Sequence, residues 1–343
     1  MKADNIFKHI QIDAYALTPK YIQLSNSIIQ AIEKGLIEKG YLLPSINDLS
    51  YELDVSRDTA EKTYRNLKHL GVVGSVPGKG YFISKIDFKH PLKILLVFNK
   101  LSAHKKIVYD TFSNTLEQQA ALDFYIYNND LSLFKKILLK RKENYTHYVI
   151  IPHFLGMDGG VADIINEIPD GKLIILDKLI NGIKRDYAAV YENFEKDIFK
   201  ALSEALPQLE KYTTLKIVFP SNTYYPEEIL KGFQSFCLQF AFNYNRVENI
   251  ELENIKRGEA YIILMEDDLL ILLEKVQATN LKIGKEIGII SYNETPWKQF
   301  ILNGITTIST DFKKMGELAA QMVLTNNFEH IEVPFSLTLR KSL

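Results

Sequence analysis

An α/β fold in two unequal parts is predicted by two patterns in the 343-residue sequence. Residues 44–83 read as two short capped helices, a glycine stop and a hairpin tipped by Pro77-Gly78-Lys79-Gly80, the order of a winged helix-turn-helix. From about residue 92 onward, apolar strand runs alternate with helix-length amphipathic stretches, as in doubly wound parallel sheets covered on both faces. The length exceeds one ordinary core and suits two or three.

In the first part, Pro19 opens a segment whose apolar residues Tyr21, Leu24, Ile28 and Ile32 share one helical face. Proline is favoured there because its missing N–H has no partner at a helix start. Gly35 and Gly40 punctuate the exit. Ser45 stands as an N-cap with Asp48 three residues on, a capping box, and Leu49 and Leu53 give that helix its apolar seam. Ser56 caps a third helix that buries Ala60, Tyr64, Leu67 and Leu70 and turns Arg57, Asp58, Thr59, Glu61 and Lys62 outward. Gly71 ends it as a left-handed stop, with Lys68 and His69 beside the negative end of the helix dipole.

A helix entering the major groove by its N-terminal turn presents Ser56, Arg57 and Thr59 to bases and phosphates. Arg57 has the fork that reads a guanine, and Ser56 with the first backbone N–H groups suits a phosphate. The Gly-Lys tip is not a nucleotide-binding loop: the spacing from Gly74 is wrong and Gly80 replaces the hydroxyl residue that holds magnesium. A wing whose small residues approach the sugar-phosphate backbone, with Lys79 beside the minor groove, fits instead.

Residues 12–83 resemble the DNA-binding domain of the GntR family of bacterial repressors. The resemblance rests on Pro19, Gln23-Leu24, Gly35, Leu43-Pro44-Ser45, Leu49, Val55-Ser56-Arg57, Thr59, Lys62, Tyr64, Leu67, Gly71 and Gly78-Lys79-Gly80. It implies DNA contacts from Pro44, Ser45, Asn47, Ser56, Arg57, Asp58, Thr59, Lys62, Gly78, Lys79 and Gly80. Asn47 and Glu61 depart from the family pattern, since both positions are often basic there.

Composition bounds the partners. Net charge is −1, and residues 1–85 carry 11 Lys and Arg against 9 Asp and Glu, so DNA contact depends on placing a few groups rather than on a positive field. The hydrophobic content of 46% with 24% charged residues is that of a globular chain, and the apolar runs fall short of the ~18 residues of a membrane span. Met1 to Asp4 hold no apolar signal core, and the single Cys237 excludes an internal disulfide, so a cytoplasmic location is expected. Cys237 itself reads as packing.

In the second part, strand runs are expected at Ile94–Phe98, Phe124–Tyr127, Tyr148–Ile151, Leu173–Leu176, Lys216–Phe219, Tyr261–Met265 and Ile287–Ile290, with helices over 106–121, 131–142, 193–210, 227–240 and 267–278. Ligands of such sheets sit beyond the carboxyl ends of the strands. The candidates there are Ser102, His104, Lys105, Asn128, His153, Asp177, Tyr191, Tyr224, Tyr225, Glu266, Asp267 and Asn293. Carboxylates, amides and aromatic rings converging on a cleft suit a sugar, whose hydroxyls take hydrogen bonds and whose C–H face takes a ring. Trp297 offers either a stacking platform or packing between subdomains.

The segments 287–296, 304–308, 311–316, 331–334 and Leu339-Arg340 resemble the effector domain of the LacI family, which shares its fold with periplasmic sugar-binding proteins. The resemblance covers about 91–343 and implies a periplasmic-binding-protein-like domain of two lobes. A head at 1–83, a linker at 84–91 and an effector domain at 92–343 are expected, with lobes at about 92–211 plus 297–328 and 212–296 plus 329–343. Asn293 stands where the family usually has a sugar-chelating aspartate, Glu266-Asp267 where it has Asn-Asp, and Ile229 where it often has an arginine. The resemblance implies a homodimeric repressor on an operator with inverted half-sites, controlled by a small sugar, a pentose or deoxyhexose. No catalysis and no cofactor are expected: the sequence has no HExxH or GxSxG motif and no metal-spaced Cys/His cluster, and His104, His147 and His153 stand isolated.

Overall fold

The computed structural model describes residues 6–76, 80–84, 92–116, 119–139, 145–155, 159–168 and 171–343. The head starts with helix α1 (Lys20–Glu33), which follows Pro19 and buries Leu24, Ile28, Ile29 and Ile32. Helix α2 (Ile46–Glu52) begins at a complete capping box: Ser45 Oγ accepts from Asp48 N at 3.1 Å, and the Asp48 carboxylate accepts from Ser45 N at 3.2 Å. Helix α3 (Arg57–His69) is capped by Ser56, whose Oγ accepts from Thr59 N at 3.1 Å, and it stops at Gly71 with φ +71°. Strands β1 (Val73–Val76) and β2 (Gly80–Ile83) pair antiparallel, with Val73 opposite Ile83. The chain before α2 adds a further edge, since Leu43 N donates to Tyr81 O at 2.8 Å and Ile83 N to Tyr41 O at 3.0 Å.

Tyr64 joins these pieces. Its ring is fully buried and stacks 4.4 Å from Tyr81 on the wing, while its hydroxyl donates to Pro44 O at 2.6 Å. Leu70, expected in the core, stays half-buried at its edge.

The rest of the chain builds two six-stranded sheets. In chain order it runs through β3 (Leu92–Phe98), α4 (Ala103–Leu116), β4 (Ala120–Ile126), α5 (Leu131–Leu139), β5 (His147–Ile150), α6 (Val161–Asn166), β6 (Lys172–Asp177) and β7 (Tyr187–Tyr191). Next come α7 (Phe194–Glu204), α8 (Leu206–Leu209), β8 (Thr214–Val218), α9 (Glu227–Gln239), β9 (Asn243–Val247), β10 (Glu259–Ile263) and α10 (Glu266–Gln277). The chain closes with β11 (Ile287–Tyr292), β12 (Thr306–Thr310), α11 (Phe312–Thr325), β13 (His330–Glu332) and β14 (Phe335–Thr338).

The first sheet has the order β13-β7-β6-β5-β3-β4, all parallel. Helices α4 and α11 bury Phe112 and Met315 against one face, and α5 and α6 bury Phe134 and Ile165 against the other. Gly316 lets α11 approach α4 so closely that a Cβ would overlap Val108 O. The second sheet, β14-β12-β11-β10-β8-β9, is parallel except for β14. Helices α7, α8 and α9 cover one face and α10 the other. Cys237 packs inside α9's core, where burial pushes its thiol up to about 12.

Several boundaries differ from expectation. The helix expected over 106–121 starts at Ala103, and by Ala120 the chain is already in β4. The stretch 193–210 divides into α7 and α8 at Pro207, which cannot donate to the preceding turn. The division of lobes also changes. Helices α7 and α8 pack into the second lobe, because the apolar stripe Ile198, Ala201, Leu202 and Ala205 faces that core. Strand β12 pairs with β11 in the second sheet, and β13 pairs with β7 in the first. The chain therefore crosses between lobes after β7, after β12 and after β13, not at 211, 296 and 328.

Candidate functional site

Two places collect the candidate residues. On the head, Ser45, Asn47, Ser56, Arg57, Asp58, Lys62 and Gly80 are exposed, while Pro44 and Thr59 are half-buried; Gly78 and Lys79 lie outside the described residues. Ser45 and Ser56 spend their hydroxyls on caps, and Ser56 Oγ lies 2.9 Å from Thr59 Oγ1. Lys62 pairs with Asp58 at 2.7 Å and Arg65 with Glu61 at 2.8 Å. Arg57 projects from the first turn of α3 with no ion-pair partner among the described residues. Unpaired guanidinium at the positive end of an exposed helix is an anion- and base-reading arrangement.

The second place lies between the lobes. Residues beyond the carboxyl ends of both sheets line a cavity of about 20 Å³: His104, Lys105, His153, Asp177 and Glu192 from the first lobe, Tyr224, Tyr225, Tyr292 and Asn293 from the second, and Phe194 and Phe312 at the crossovers. A mouth of about 150 Å³ adjoins it, lined by Lys100, Ser102, Glu266 and Asp267 among others. The inner volume holds about one water, so a larger guest enters only when the lobes part. They are in direct contact here. His153 Nδ1 lies 3.3 Å from Tyr224 O, Lys100 hydrogen-bonds the Tyr224 hydroxyl, and its ammonium sits 4.3 Å over the Tyr224 ring.

Charge is concentrated inside. Asp177 accepts from His153 Nε2 at 2.8 Å and lies 3.8 Å from Lys105 Nζ, which also donates to Asn99 Oδ1. Burial opposes the charge on Asp177, but His153 and Lys105 outweigh it and hold the carboxyl down at about 2. Burial next to that carboxylate pushes Glu192 well above the usual carboxyl range. Burial lowers Lys105 to about 8, and burial together with the Lys105 charge lowers His104 to about 3. At neutral pH the Lys105 ammonium therefore faces the Asp177 carboxylate, His104 is uncharged, and burial beside Asp177 biases Glu192 towards its neutral form.

Polar capacity is left over. Asn293 Oδ1 and the Tyr292 hydroxyl are buried without a hydrogen-bond partner among the described residues. Asp177 and Asn293, one from each lobe, hold left-handed backbones with φ of 74° and 65°. Lys298 is wholly buried and donates to Asn293 O at 2.5 Å, which fixes that turn.

Some expectations are corrected. Asn128 is exposed in a left-handed turn with φ 50° and lines neither cavity; its neighbour Asn129 accepts from Asn99 instead, at 2.7 Å. Tyr191 packs against the first lobe's core, and Glu192 takes the cavity position, because neighbours at a strand end face opposite ways. Trp297 lines neither cavity and is 37% exposed, so it is not a stacking platform in the cleft. Ile229 belongs to the second lobe's core. Glu192, Phe194, Tyr292 and Phe312 escape the sequence reading: β7 is not visible as a strand, and the aromatics look like core residues.

Glu192 gives a pH-dependent prediction. A carboxyl raised on folding contributes stability that is full below its unfolded value and is lost as pH rises through the folded value. Glu192→Gln keeps a neutral group of the same shape, so its thermal midpoint should exceed the wild type's by a margin that grows from pH 4.5 towards neutrality. The margin grows by at most about 1.4 kcal/mol per pH unit for one proton. Melting curves across that range check it; a margin that is flat or shrinks with pH contradicts it.

Residues 20–83 match the family described as bacterial regulatory proteins, gntR family, and residues 210–343 match a periplasmic binding protein-like domain. The HTH-type transcriptional repressor YtrA of Bacillus subtilis (strain 168) is 32% identical over 76 residues, which are 22% of this chain and 58% of that protein. The chain thus spans less than two thirds of the curated relatives it matches, 58% and 64% of two of them. Among solved structures, the trehalose repressor from Escherichia coli aligns with a TM-score of 0.60 at 16% identity, over 72% of this chain and 99% of that one. A LacI family transcriptional regulator from Enterococcus faecalis V583 with bound ribose aligns with a TM-score of 0.60 at 15% identity, over 73% of this chain and 98% of that one. At such identities the likeness is one of fold.

Proposed function

We propose that this chain, a gntR-family winged helix-turn-helix joined to a periplasmic-binding-protein-like domain, is a sequence-specific DNA-binding transcriptional regulator controlled by a monosaccharide. It acts as a repressor of sugar utilisation, and a homodimer sets two heads about one DNA turn apart on inverted half-sites. The effector, a pentose or deoxyhexose, is held between the lobes and lowers operator affinity. The observation that carries this reading is the convergence, from both lobes, of buried hydrogen-bonding groups and aromatic rings on one cavity. Neutral hydroxyls suit Asp177, Asn293 and Lys105, and Phe194, Tyr225 and Phe312 suit the apolar face of a sugar ring. The ribose complex of the Enterococcus neighbour, on the same fold, supports a pentose.

Binding shifts the equilibrium between open and closed lobes only through different affinities for the two, and about 1–3 kcal/mol of coupling is the usual range. A thermal-shift panel of pentoses, deoxyhexoses, hexoses and sugar phosphates tests the effector. A sugar at 100 times its Kd should stabilise the chain by about 2.7 kcal/mol. If no sugar or sugar phosphate raises the midpoint, the effector reading fails.

A further inference from the structure

Strand β4 is the edge of the first sheet, and the segment just before helix α1 lies along it. Ala16 bridges antiparallel to Tyr125, Leu17 N donates to Phe124 O at 2.9 Å, and Phe124 N donates to Thr18 Oγ1 at 3.0 Å. The Tyr125 hydroxyl donates to Asp13 Oδ2 at 3.0 Å. Asp13 N donates to Gln23 Oε1 at 2.9 Å, and Gln23 Nε2 donates to Thr18 O at 2.7 Å, so the segment is laced to the first turn of α1. At the other end of α1, Glu33 lies 3.9 Å from Lys93 on β3. Helix α1 in turn carries α3, with Ser25 and Thr63 buried between them.

The far end of β4 reaches the cleft. Tyr127 donates to His153 O at 2.8 Å and accepts from His153 N at 2.8 Å. Asn129, just beyond, accepts from Asn99, whose own side-chain oxygen accepts from Lys105. One seven-residue strand thus has cleft residues hydrogen-bonded at its exit and the approach to the DNA-reading head paired along its edge. Backbone pairing along a sheet edge fixes a segment in both register and direction.

We propose that residues 13–18 are a coupling strap: they dock on the edge of β4 and carry movements of the first lobe's cleft residues into helix α1, and so into α3. The strap acts independently of the covalent connection at 84–91. Its role as a signal route rests on the effector reading above; its docking does not.

Two measurements on the full chain test it. Hydrogen exchange without added sugar reads docking: the Leu17 and Phe124 amides should exchange about tenfold or more slowly in the wild type than in Thr18→Val/Tyr125→Phe. Leu17 and Phe124 amides exchanging as freely in the wild type as in the variant would overturn the strap. DNA binding then reads coupling, on a fragment selected by the wild type from a random pool, with D-ribose, D-xylose, L-arabinose, L-fucose or L-rhamnose added. The wild type should change affinity by about 5–150-fold with one of them. The double variant should bind the same fragment and be stabilised by the same sugar, with the affinity change collapsing towards unity. Leu17→Pro, which removes one strap donor at a position 45% exposed, should fall in the same direction if the double variant does not fold. A variant that folds and keeps the full response overturns the coupling role. If none of the five sugars affects the wild type, the pentose or deoxyhexose assignment fails and the signal route with it, while amide protection still judges the docking.

Discussion

Asp177→Ala should lower the thermal midpoint of the chain more than any other substitution in the cleft and abolish its response to sugar. Asp177 is the counter-charge of buried Lys105, whose Nζ lies 3.8 Å away, and the hydrogen-bond acceptor of His153 Nε2 at 2.8 Å. Both partners are almost wholly enclosed, so removing the carboxylate strands the Lys105 ammonium away from water and leaves His153 Nε2 without its acceptor. Breaking one side of a buried pair costs about 3–5 kcal/mol, far more than the pair contributes over apolar replacements. Asp177→Asn keeps the shape and one acceptor, so it should fold better than the alanine variant and still lose sugar. Denaturation of both variants, with and without a stabilising sugar, decides this. An alanine variant as stable as the wild type would mean the buried charges are not coupled as described.

Arg57→Ala should weaken binding to a selected operator by about 5–150-fold, the ~1–3 kcal/mol of a bidentate base contact, and relax the base preference at one position. The side chain is exposed and makes no ion pair among the described residues, so stability should stay within about 0.5 kcal/mol of the wild type. Arg57→Lys should not restore specificity, because an ammonium lacks the planar fork. Lys62→Ala is the contrast: it should weaken all sequences alike and flatten the salt dependence by about one unit of slope. Competition between selected and scrambled DNA at fixed salt measures both. An Arg57→Ala chain with unchanged preference removes α3 from base reading.

The head was legible because its signals are local. Capping at Ser45 and Ser56, the stop at Gly71 and the three-and-four spacing of α1 depend on residues a turn apart, and each fixes a helix end. The lobes were legible where strands are buried on both faces, as in β3, β6 and β11, whose apolar runs are unbroken. Strand β7 hides because Tyr187-Ala-Ala-Val-Tyr191 carries small residues where helices press close, and β9 because Asn243–Val247 is a mostly exposed edge. The lobe crossovers are a matter of tertiary packing: nothing local to Thr306–Thr310 says which sheet it joins. In the cleft, His104, Lys105, His153, Asp177, Tyr224, Tyr225 and Asn293 come together as strand-end logic implies, whereas Glu192 sits one residue beyond a strand the sequence does not announce. Phe194 and Phe312 open helices, where an aromatic residue reads as core until the partner lobe is in place.

The most direct test of a DNA-reading head governed by a sugar held between two lobes is a fluorescence anisotropy titration of the full chain on its selected operator. It is run at constant salt, with and without the pentose or deoxyhexose that raises the melting midpoint. This sugar should weaken operator binding by about 5–150-fold while leaving the residual affinity for scrambled DNA in place. A sugar that stabilises the chain yet leaves the operator affinity unchanged would contradict it, because binding in the cleft would then be blind to the state of the head.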